Sequence, residues 1–294
     1  MSGLKEVRIR IASVNTTKQV TSAMKMVSAA KLRRAQGAII KLRPYANKLS
    51  EMLSELSANG NLPEDIPYFK KRKVQKVLLV VVTSNRGLCG AFNTNIIKAA
   101  TNLIHTDYQD LYDKNNIHIL SVGKKASDFF SKRNYSLVDN FDYIYDNLSY
   151  EKTCELANKL MNYYSSGAYD KIIVIYNQFK NAVSQTLTTE QFLPIGKITK
   201  DNEAAPSNID YIFEPEKEII LKELVPKSLK IQIYKAVLDS WASEHGARMS
   251  AMQKATDNAE ELMKSLRLTY NKARQASITN EIIEIVSGVN ALKG

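Results

Sequence analysis

The chain has 294 residues, enough for two structural units with a sizeable core, and its 44% hydrophobic content excludes wholesale disorder. Its two cysteines exclude a disulfide framework and favour a reducing compartment, and three scattered histidines argue against a transition-metal site. No run of about 18 apolar residues predicts a membrane span, and no leader of charged and then apolar residues is recognisable, so we expect neither an anchor nor a signal segment.

The net charge of +11 is concentrated at one end of the chain. Residues 1–57 hold 11 Lys and Arg against 3 Asp and Glu, whereas residues 58–216 hold 18 of each. A basic helix can meet nucleic acid, anionic lipid or an acidic protein, or it can simply present a solvated face. The charge alone leaves these alternatives open.

Residues 1–58 predict one long helix with Pro44 inside it. Apolar or small residues recur at steps of three and four, the heptad pattern of a helix that packs along another helix. The register runs through Leu4, Val7, Ile11, Val14, Leu32, Ala35, Ile39, Leu42, Ala46, Leu49, Leu53 and Leu56. Between Val14 and Leu32 the same register meets polar residues, and the apolar stripe moves to Val20, Ala23, Met24, Val27 and Ala30. This shift predicts a second partner or a changed twist.

Residues 59–215 predict an α/β domain, because strand-like apolar runs alternate with helical segments. The predicted strands are Val77–Thr83, Ile117–Val122, Lys171–Tyr176 and Ser184–Leu193. The predicted helices end near Tyr108 and cover Lys124–Lys132 and Tyr150–Ser165. We therefore expect a small, doubly wound, Rossmann-like domain inserted between two terminal helices.

Residues 216–294 predict the second shaft helix. A short helical piece, Glu216–Leu224, is expected to end before Pro226, and a helix from Lys227 to Leu292 follows. Its seam is predicted to pass through residues 252, 255, 259, 262 and 266. Paired antiparallel, residues 4–57 match residues 217–270 in length, which predicts an antiparallel coiled coil of the N- and C-terminal helices.

This alignment leaves roughly the last 20 residues as a single overhanging helix of about 30 Å. Apolar residues cover nearly half of its circumference, and such a surface requires another protein around it. The alternative is that the tip folds back on the α/β domain. We define the apolar tip as Ile278, Ile282, Ile283, Ile285, Val286, Val289 and Leu292.

A glycine-containing turn, SNRGLCG, follows the first strand, at the place where α/β folds bind phosphates. It lacks the Lys-Ser/Thr pair of a P-loop and the spacing of a dinucleotide fingerprint. Ser84 has no histidine near it in sequence to act as a base, and Cys89 has no evident activator. We therefore expect no catalytic residue, no cofactor and no metal site in this chain.

Long motifs at both ends and two in the middle carry a family resemblance. They are IRIASVNTTKQVTSAMKMVSAAKLRRAQ, SNRGLCGAFN, DYIFEP, SEHGARMSAMQKATDNA and YNKARQASITNEIIEIVSGVNAL. In this order they resemble the gamma subunit of F-type ATP synthases. The resemblance implies a non-catalytic rotor shaft on the cytoplasmic face of the bacterial inner membrane. It also implies four partners: the alpha, beta and epsilon subunits and the ring of c subunits.

The resemblance also implies particular contact residues. Contacts with the catalytic ring fall on Met24, Lys25, Arg248, Gln275, Thr279 and Glu281. Contacts of the foot with the c-ring fall on Tyr211, Phe213 and Glu214. Asn85 stands where the family usually has Asp, a departure that affects one contact.

A basic coiled-coil protein that binds nucleic acid is the alternative function. Against it, aromatic residues are not interleaved with the charges of residues 1–57, and no reading helix of known type is recognisable.

Overall fold

The computed structural model describes residues 2–58, 66–182, 184–196 and 217–291. It divides into two compact units, one formed by Met1–Ala29 with Arg248–Gly294 and the other by Ala30–Ala247. Long N- and C-terminal helices with a central α/β sheet between them confirm the predicted fold class. The predicted three-part division of the chain stays a prediction.

The two terminal helices are α1 (Ser2–Ala58) and α6 (Lys217–Ala291). The prediction that the helix breaks before Pro226 is wrong, since α6 continues through this proline. A proline inside a helix costs about 3 kcal/mol, because one backbone donor is lost. Leu221, Val225 and Leu229 are buried around it, and burying each such side chain gains roughly 1.5–3 kcal/mol, which outweighs that cost.

A five-stranded sheet forms the centre of the larger unit. Its strands are β1 (Val77–Val82), β2 (Ile117–Val122), β3 (Leu137–Asn140), β4 (Lys171–Phe179) and β5 (Gln185–Leu193), in the order β3-β2-β1-β4-β5. The first four are parallel, and β5 runs antiparallel to β4. This arrangement explains the continuous apolar run of β1, because a central parallel strand is covered on both faces.

Helices α2 (Phe92–Asp107), α3 (Gln109–Tyr112), α4 (Lys124–Ser131) and α5 (Tyr150–Ser165) surround this sheet, with 3₁₀ turns at Pro67–Phe69 and Asp142–Asp146. Alternate residues of β1 enter two separate cores, as the period of two in a strand requires. Leu78, Val80 and Val82 pack with α5 and α6. Val77, Leu79 and Val81 pack with α2 and α4. The sheet is therefore doubly wound, and the buried apolar residues of α6 contribute to one of its two cores.

Within the smaller unit, α1 and α6 pair antiparallel. Arg8 donates a 3.2 Å hydrogen bond to Tyr270, Lys18 pairs with Glu260 at 3.1 Å, and Thr21 shares a 2.8 Å hydrogen bond with Thr256. Continuing this register places Leu4 opposite Arg274, about one helical turn beyond the predicted alignment. The predicted antiparallel pairing is confirmed.

The seam between these helices differs from the sequence prediction on α6 and leaves one prediction for α1 open. On α1 the heptad register continues through the polar stretch, with Thr21 and Ser28 buried and Val20 and Val27 exposed, so the second partner predicted for this apolar stripe stays a prediction. On α6, Leu262 is 50% exposed and Met263 is 7% exposed, so the predicted seam position 262 is wrong. The hydroxyls of Thr21 and Ser28 are both hydrogen-bonded in the seam: Thr21 bonds Thr256 across it, and Ser28 donates to the Met24 carbonyl of its own helix. Apolar periodicity does not detect such bonds.

Candidate functional site

The candidate site is the surface of the helix pair and the end of α6. Of the predicted contact residues, Met24 and Lys25 lie on α1 and are half-buried, and Lys25 Nζ donates to Gln253 Oε1 of α6. Arg248 lies five residues before Gln253, about 7 Å along the helix axis, and is 7% exposed. The structure thus brings these three residues to one stretch of the helix pair. Their contact with a catalytic ring stays a prediction.

Gln275, Thr279 and Glu281 form a separate group on α6, beginning about 33 Å beyond Gln253. All three are exposed. Thr279 Oγ1 donates a 2.9 Å hydrogen bond to the Gln275 carbonyl, and Glu281 Oε1 accepts a 3.2 Å hydrogen bond from Ser277. The Thr279 donor is therefore used within its own helix, whereas the Gln275 side chain is exposed.

The described part of the apolar tip is exposed. Every residue from 278 to 290 is exposed, and the six described apolar side chains of the tip have exposed fractions of 45–66%. The register of the pair explains this, because it places Ser2, where the described part of α1 begins, opposite about Ala276 of α6. Leu292 lies outside the described residues.

The predicted foot residues Tyr211, Phe213 and Glu214 also lie outside the described residues. Their contact with a c-ring therefore stays a prediction.

The SNRGLCG turn is held together by its own polar groups. Asn93 Oδ1 accepts from the Ser84 backbone N–H at 3.0 Å, and Asn93 Nδ2 donates to Ser84 Oγ at 2.8 Å and to Cys89 Sγ at 3.2 Å. Ser84 Oγ also donates to the Arg86 carbonyl at 2.7 Å. This arrangement favours the structural interpretation of the turn over a ligand site.

Asn85 connects the same turn to two other segments. Its Oδ1 accepts from the Lys124 backbone N–H at 3.0 Å, and its Nδ2 donates to the Asp142 carbonyl at 2.9 Å. An aspartate could make the first bond but not the second, because an ionised carboxylate only accepts. The departure from the family pattern at this position thus has a local structural use.

Sequence reasoning missed a buried polar stretch of α6 in the larger unit. Of residues 236–246, all are buried except the half-buried Trp241. Five of the buried residues are polar: Asp239, Ser240, Ser243, Glu244 and His245. The sequence signal was the mixture of small and polar residues in SWASEHG, which we would otherwise assign to a solvated face.

Asp239 is a buried acid of this stretch with a raised pKa. It is 2% exposed, and burial raises its pKa to about 6, although the charges of Lys235 and Arg43 oppose the shift. Glu190 raises the pKa further. A carboxylate is therefore held here at a cost in free energy.

In residues 2–58, 66–182, 184–196 and 217–291, the helices lack a stretch long and apolar enough to cross a membrane. In the same ranges, His, Cys, Asp and Glu do not form a group of three or more that could hold a metal ion.

The chain is similar to known proteins over nearly its whole length. The family model described as ATP synthase matches residues 3–292. The ATP synthase gamma chain of Flavobacterium psychrophilum is 54% identical over 294 residues, with 100% of both chains covered. That of Cytophaga hutchinsonii is 52% identical over 293 residues, with 99% of both chains covered.

Solved structures show the same fold. A chain of the Euglena gracilis mitochondrial ATP synthase, in a structure of OSCP, F1 and c-ring, aligns with a TM-score of 0.68 and 20% identity, covering 99% of this chain and 95% of that one. A chain of the Tetrahymena thermophila mitochondrial ATP synthase central stalk and c-ring aligns with a TM-score of 0.57 and 25% identity, covering 80% and 99%. The first likeness supports the fold alone, given its low identity.

Proposed function

Because the chain belongs to the ATP synthase gamma chain family, we propose that it is the central rotor shaft of a proton-translocating ATP synthase. In this role it couples rotation of a membrane ring of c subunits to ATP synthesis or hydrolysis in a ring of alpha and beta subunits. The epsilon subunit is the further proposed partner. The proposed location is peripheral, on the cytoplasmic face of a bacterial inner membrane.

The observation that carries this proposal is the unpaired, exposed apolar end of α6. Six large aliphatic side chains on a lone helix are unfavourable in water, so this end requires an apolar sleeve supplied by another protein. An apolar sleeve excludes water without directional bonds, and it therefore lets the helix turn inside it. A pair of helices with one protruding end suits a shaft inside a ring.

The shaft acts by being asymmetric. A helix pair presents different side chains in different directions, so three equivalent partners around it are contacted differently at any moment. A partner that is contacted more favourably in its open or its closed state shifts toward that state, and its nucleotide affinity changes accordingly. Rotation then passes each partner through the states in turn.

We place the ATP chemistry in other chains. The polar groups of the SNRGLCG turn, the one strand-to-helix turn that the sequence singled out, bond to one another, as described above. The proposal therefore gives this chain a mechanical role in an ATPase rather than catalytic residues.

The nucleic-acid alternative is not favoured by the comparisons. Several basic residues of the first helix are also used within the chain: Arg8 bonds Tyr270, Lys18 pairs with Glu260, and Lys25 bonds Gln253. Such residues are less available to a phosphate backbone, which binds through unpaired cations.

The test is reconstitution of the complex with and without this chain. The tagged chain is expressed with the other subunits of its own ATP synthase, and ATP hydrolysis sensitive to dicyclohexylcarbodiimide is measured in the membranes. We expect sensitive hydrolysis and proton pumping only when the chain is present. Equal activity without it, or retention of the pure chain on DNA at physiological salt, would contradict the proposal.

A further inference from the structure

Helix α6 is enclosed on all sides within the larger unit, and polar residues lie on several of those sides. Residues 236–246 cover about three helical turns, so the buried residues point in every direction around the axis. A helix buried all round is normally apolar all round. Polar side chains at such a place cost free energy unless they bond to specific neighbours.

Ser243 bonds α6 to the sheet. Its Oγ is fully buried and donates a 3.1 Å hydrogen bond to the carbonyl of Asn177, in β4. The Asn177 side chain is also buried, and its Nδ2 donates a 3.3 Å hydrogen bond to the Phe92 carbonyl at the start of α2. Two successive hydrogen bonds thus link α6, β4 and α2.

Gly246 makes a close steric contact one turn further along. A Cβ placed on Gly246 would lie 2.9 Å from the carbonyl oxygen of Ala182, in the turn between β4 and β5. Contacts below 3.0 Å are not normally observed for real Cβ atoms, so only glycine lets the helix backbone approach this turn without a shift. A bulkier residue brought here by rotation or sliding of α6 would collide with it.

Two charged residues extend the contacts to further elements. The positive charge of Arg43 on α1 lowers the pKa of Asp239, and the negative charge of Glu190 on β5 raises it. Burial and then the negative charge of Glu244 raise the pKa of Tyr145, which lies in the second 3₁₀ turn. Glu244 therefore interacts with that turn. Polar interactions therefore reach α6 from α1, β4, β5 and the turn at residues 142–146.

Hydrogen bonds and close backbone contacts oppose a change of register more specifically than apolar burial does, because burial depends mainly on the area covered. A step of one residue rotates a helix by 100° and moves it about 1.5 Å along its axis. Such a step would break the Ser243 bond and drive a side chain into the Ala182 carbonyl. The two contacts together therefore oppose both rotation and sliding.

We propose that Ser243, Asn177 and Gly246 form a key that fixes the rotational register of α6 in the α/β domain, so that torque applied to the domain turns the helix without slip. This inference rests on the proposed shaft function. It assigns positioning residues and involves no contact with nucleotide.

The experiment uses the assembled ATP synthase with the double variant Ser243→Ala, Asn177→Leu, which removes both linking hydrogen bonds. Protons pumped per ATP hydrolysed are measured against a proton gradient, and we expect this ratio to fall roughly twofold or more. Ser243→Thr keeps a hydroxyl and should restore part of the ratio in the Asn177→Leu background. The matched control is Ser165→Ala on α5, because this exposed hydroxyl bonds only the Asn162 carbonyl of its own helix, and this variant should pump like the wild type.

A second measurement reports the register itself. Spin labels at the exposed positions Glu218→Cys on α6 and Leu187→Cys on β5 give a distance distribution in the same complexes. We expect one narrow distance in the wild type and a broadened or second distance in the double variant. A merely structural role would lower the yield of the complex while leaving both the pumping ratio and the distance distribution unchanged.

The outcomes separate the two proposals. A double variant with wild-type pumping, or with lost pumping and an unchanged distance distribution, overturns the key while the shaft function stands. A wild-type complex that lacks pumping sensitive to dicyclohexylcarbodiimide overturns the shaft function, and the distances then still report whether the register is fixed.

Discussion

At the scale of single residues, Asp239 shows how position can set the cost of a charge. The same carboxyl group on the surface would have a pKa near 4, whereas burial raises it here to about 6. Lys235 and Arg43 lower it, Glu190 raises it, and the nearby Tyr176 hydroxyl donates to Glu190 at 2.8 Å. Two cations therefore offset only part of the desolvation of this side chain.

We predict that Asp239→Asn stabilises the isolated chain at pH 8, by about 1–3 kcal/mol. Because the folded-state pKa is raised, the contribution of Asp239 to stability is greatest below about pH 4, declines between about pH 4 and 6, and is a constant penalty above that. The difference in unfolding free energy between variant and wild type should therefore shrink as the pH falls from 8 to 4.5.

The measurement is urea unfolding at both pH values, with Asp110→Asn as the control at an exposed site. A variant that is less stable at pH 8 would mean that the attraction to Arg43 and Lys235 outweighs the burial cost.

Gln275 and Thr279 give the second prediction at this scale. The double variant Gln275→Leu, Thr279→Val should leave the complex assembled, since both changes add apolar surface that an apolar sleeve accommodates. Loss of specific hydrogen bonds to a partner, at about 1 kcal/mol each, should lower ATP turnover and pumping several-fold. Thr279 already donates to its own helix, so Gln275 is expected to account for most of the effect.

Steady-state hydrolysis is compared in membranes that hold equal amounts of assembled enzyme. Thr269→Val serves as the control, because its exposed hydroxyl bonds only the Ser265 carbonyl of the same helix. Wild-type rates for the double variant would mean that these side chains are only solvated.

At the scale of elements, the helix pair has a seam in which polar residues replace apolar ones. Thr21 and Thr256 meet across it at 2.8 Å, with Lys18–Glu260 on one side and Lys25–Gln253 on the other. Polar positions in a coiled-coil seam commonly specify register at some cost in stability. The sequence signals this only as a gap in the apolar pattern.

A double-mutant cycle on Thr21 and Thr256 tests this seam. Each single change to Val removes the bond across the seam, while the remaining hydroxyl can still donate to a carbonyl of its own helix, that of Lys18 for Thr21 or that of Met252 for Thr256. Each single change should therefore destabilise the chain by about 1 kcal/mol. The double change should cost less than the sum of the two single changes, giving a coupling energy of at least 0.5 kcal/mol or so by urea unfolding. Thr17→Val is the control, because that exposed hydroxyl bonds only its own helix. Strictly additive costs would contradict a direct interaction.

Adjacent residues of α6 give a sharper test of the seam position. Met263→Ala should cost about 2–5 kcal/mol because a buried side chain is removed, whereas Leu262→Ala should cost well under half as much. The comparison uses thermal unfolding of the isolated chain. Equal losses at the two positions would mean that the seam passes between them.

The elements that the sequence predicts well are those whose periodicity is strong. The bounds of β2 and α5 match the prediction residue for residue, because apolar patterns and turn residues mark both of their ends. Strand β3 was missed, since four partly polar residues at a sheet edge carry no apolar period. The sequence prediction placed Leu262 instead of Met263 in the seam, because both side chains are apolar and the two residues are adjacent.

The candidate site was predictable in part for the same reason. The exposed tip follows from counting residues on the two helices and from its run of aliphatic side chains. The key around Ser243 was not predictable, because a buried serine and a solvated serine are identical in sequence, and only the fold brings Asn177 and Ala182 to α6.

At the scale of the whole molecule, the end of α6 is a helix that the rest of the described chain leaves exposed. We predict fast amide exchange across residues 278–291 in the isolated chain, since these backbone groups lie in a lone exposed helix. In the assembled complex the same amides should be protected. Hydrogen exchange with mass spectrometry measures both states, and the buried strand β1 serves as the internal reference. Full protection in the free chain would contradict an unpaired tip.

The exposed tip also makes the state of this protein depend on how many copies of its partners are present. A sleeve that binds only the ordered helix stabilises it by mass action, so its stability follows the free concentration of the surrounding subunits. Copies produced in excess of those subunits would keep an aliphatic surface in water, where two such surfaces bury each other by self-association. Balanced synthesis of the subunits is therefore a requirement for solubility that follows from the unequal lengths of two helices.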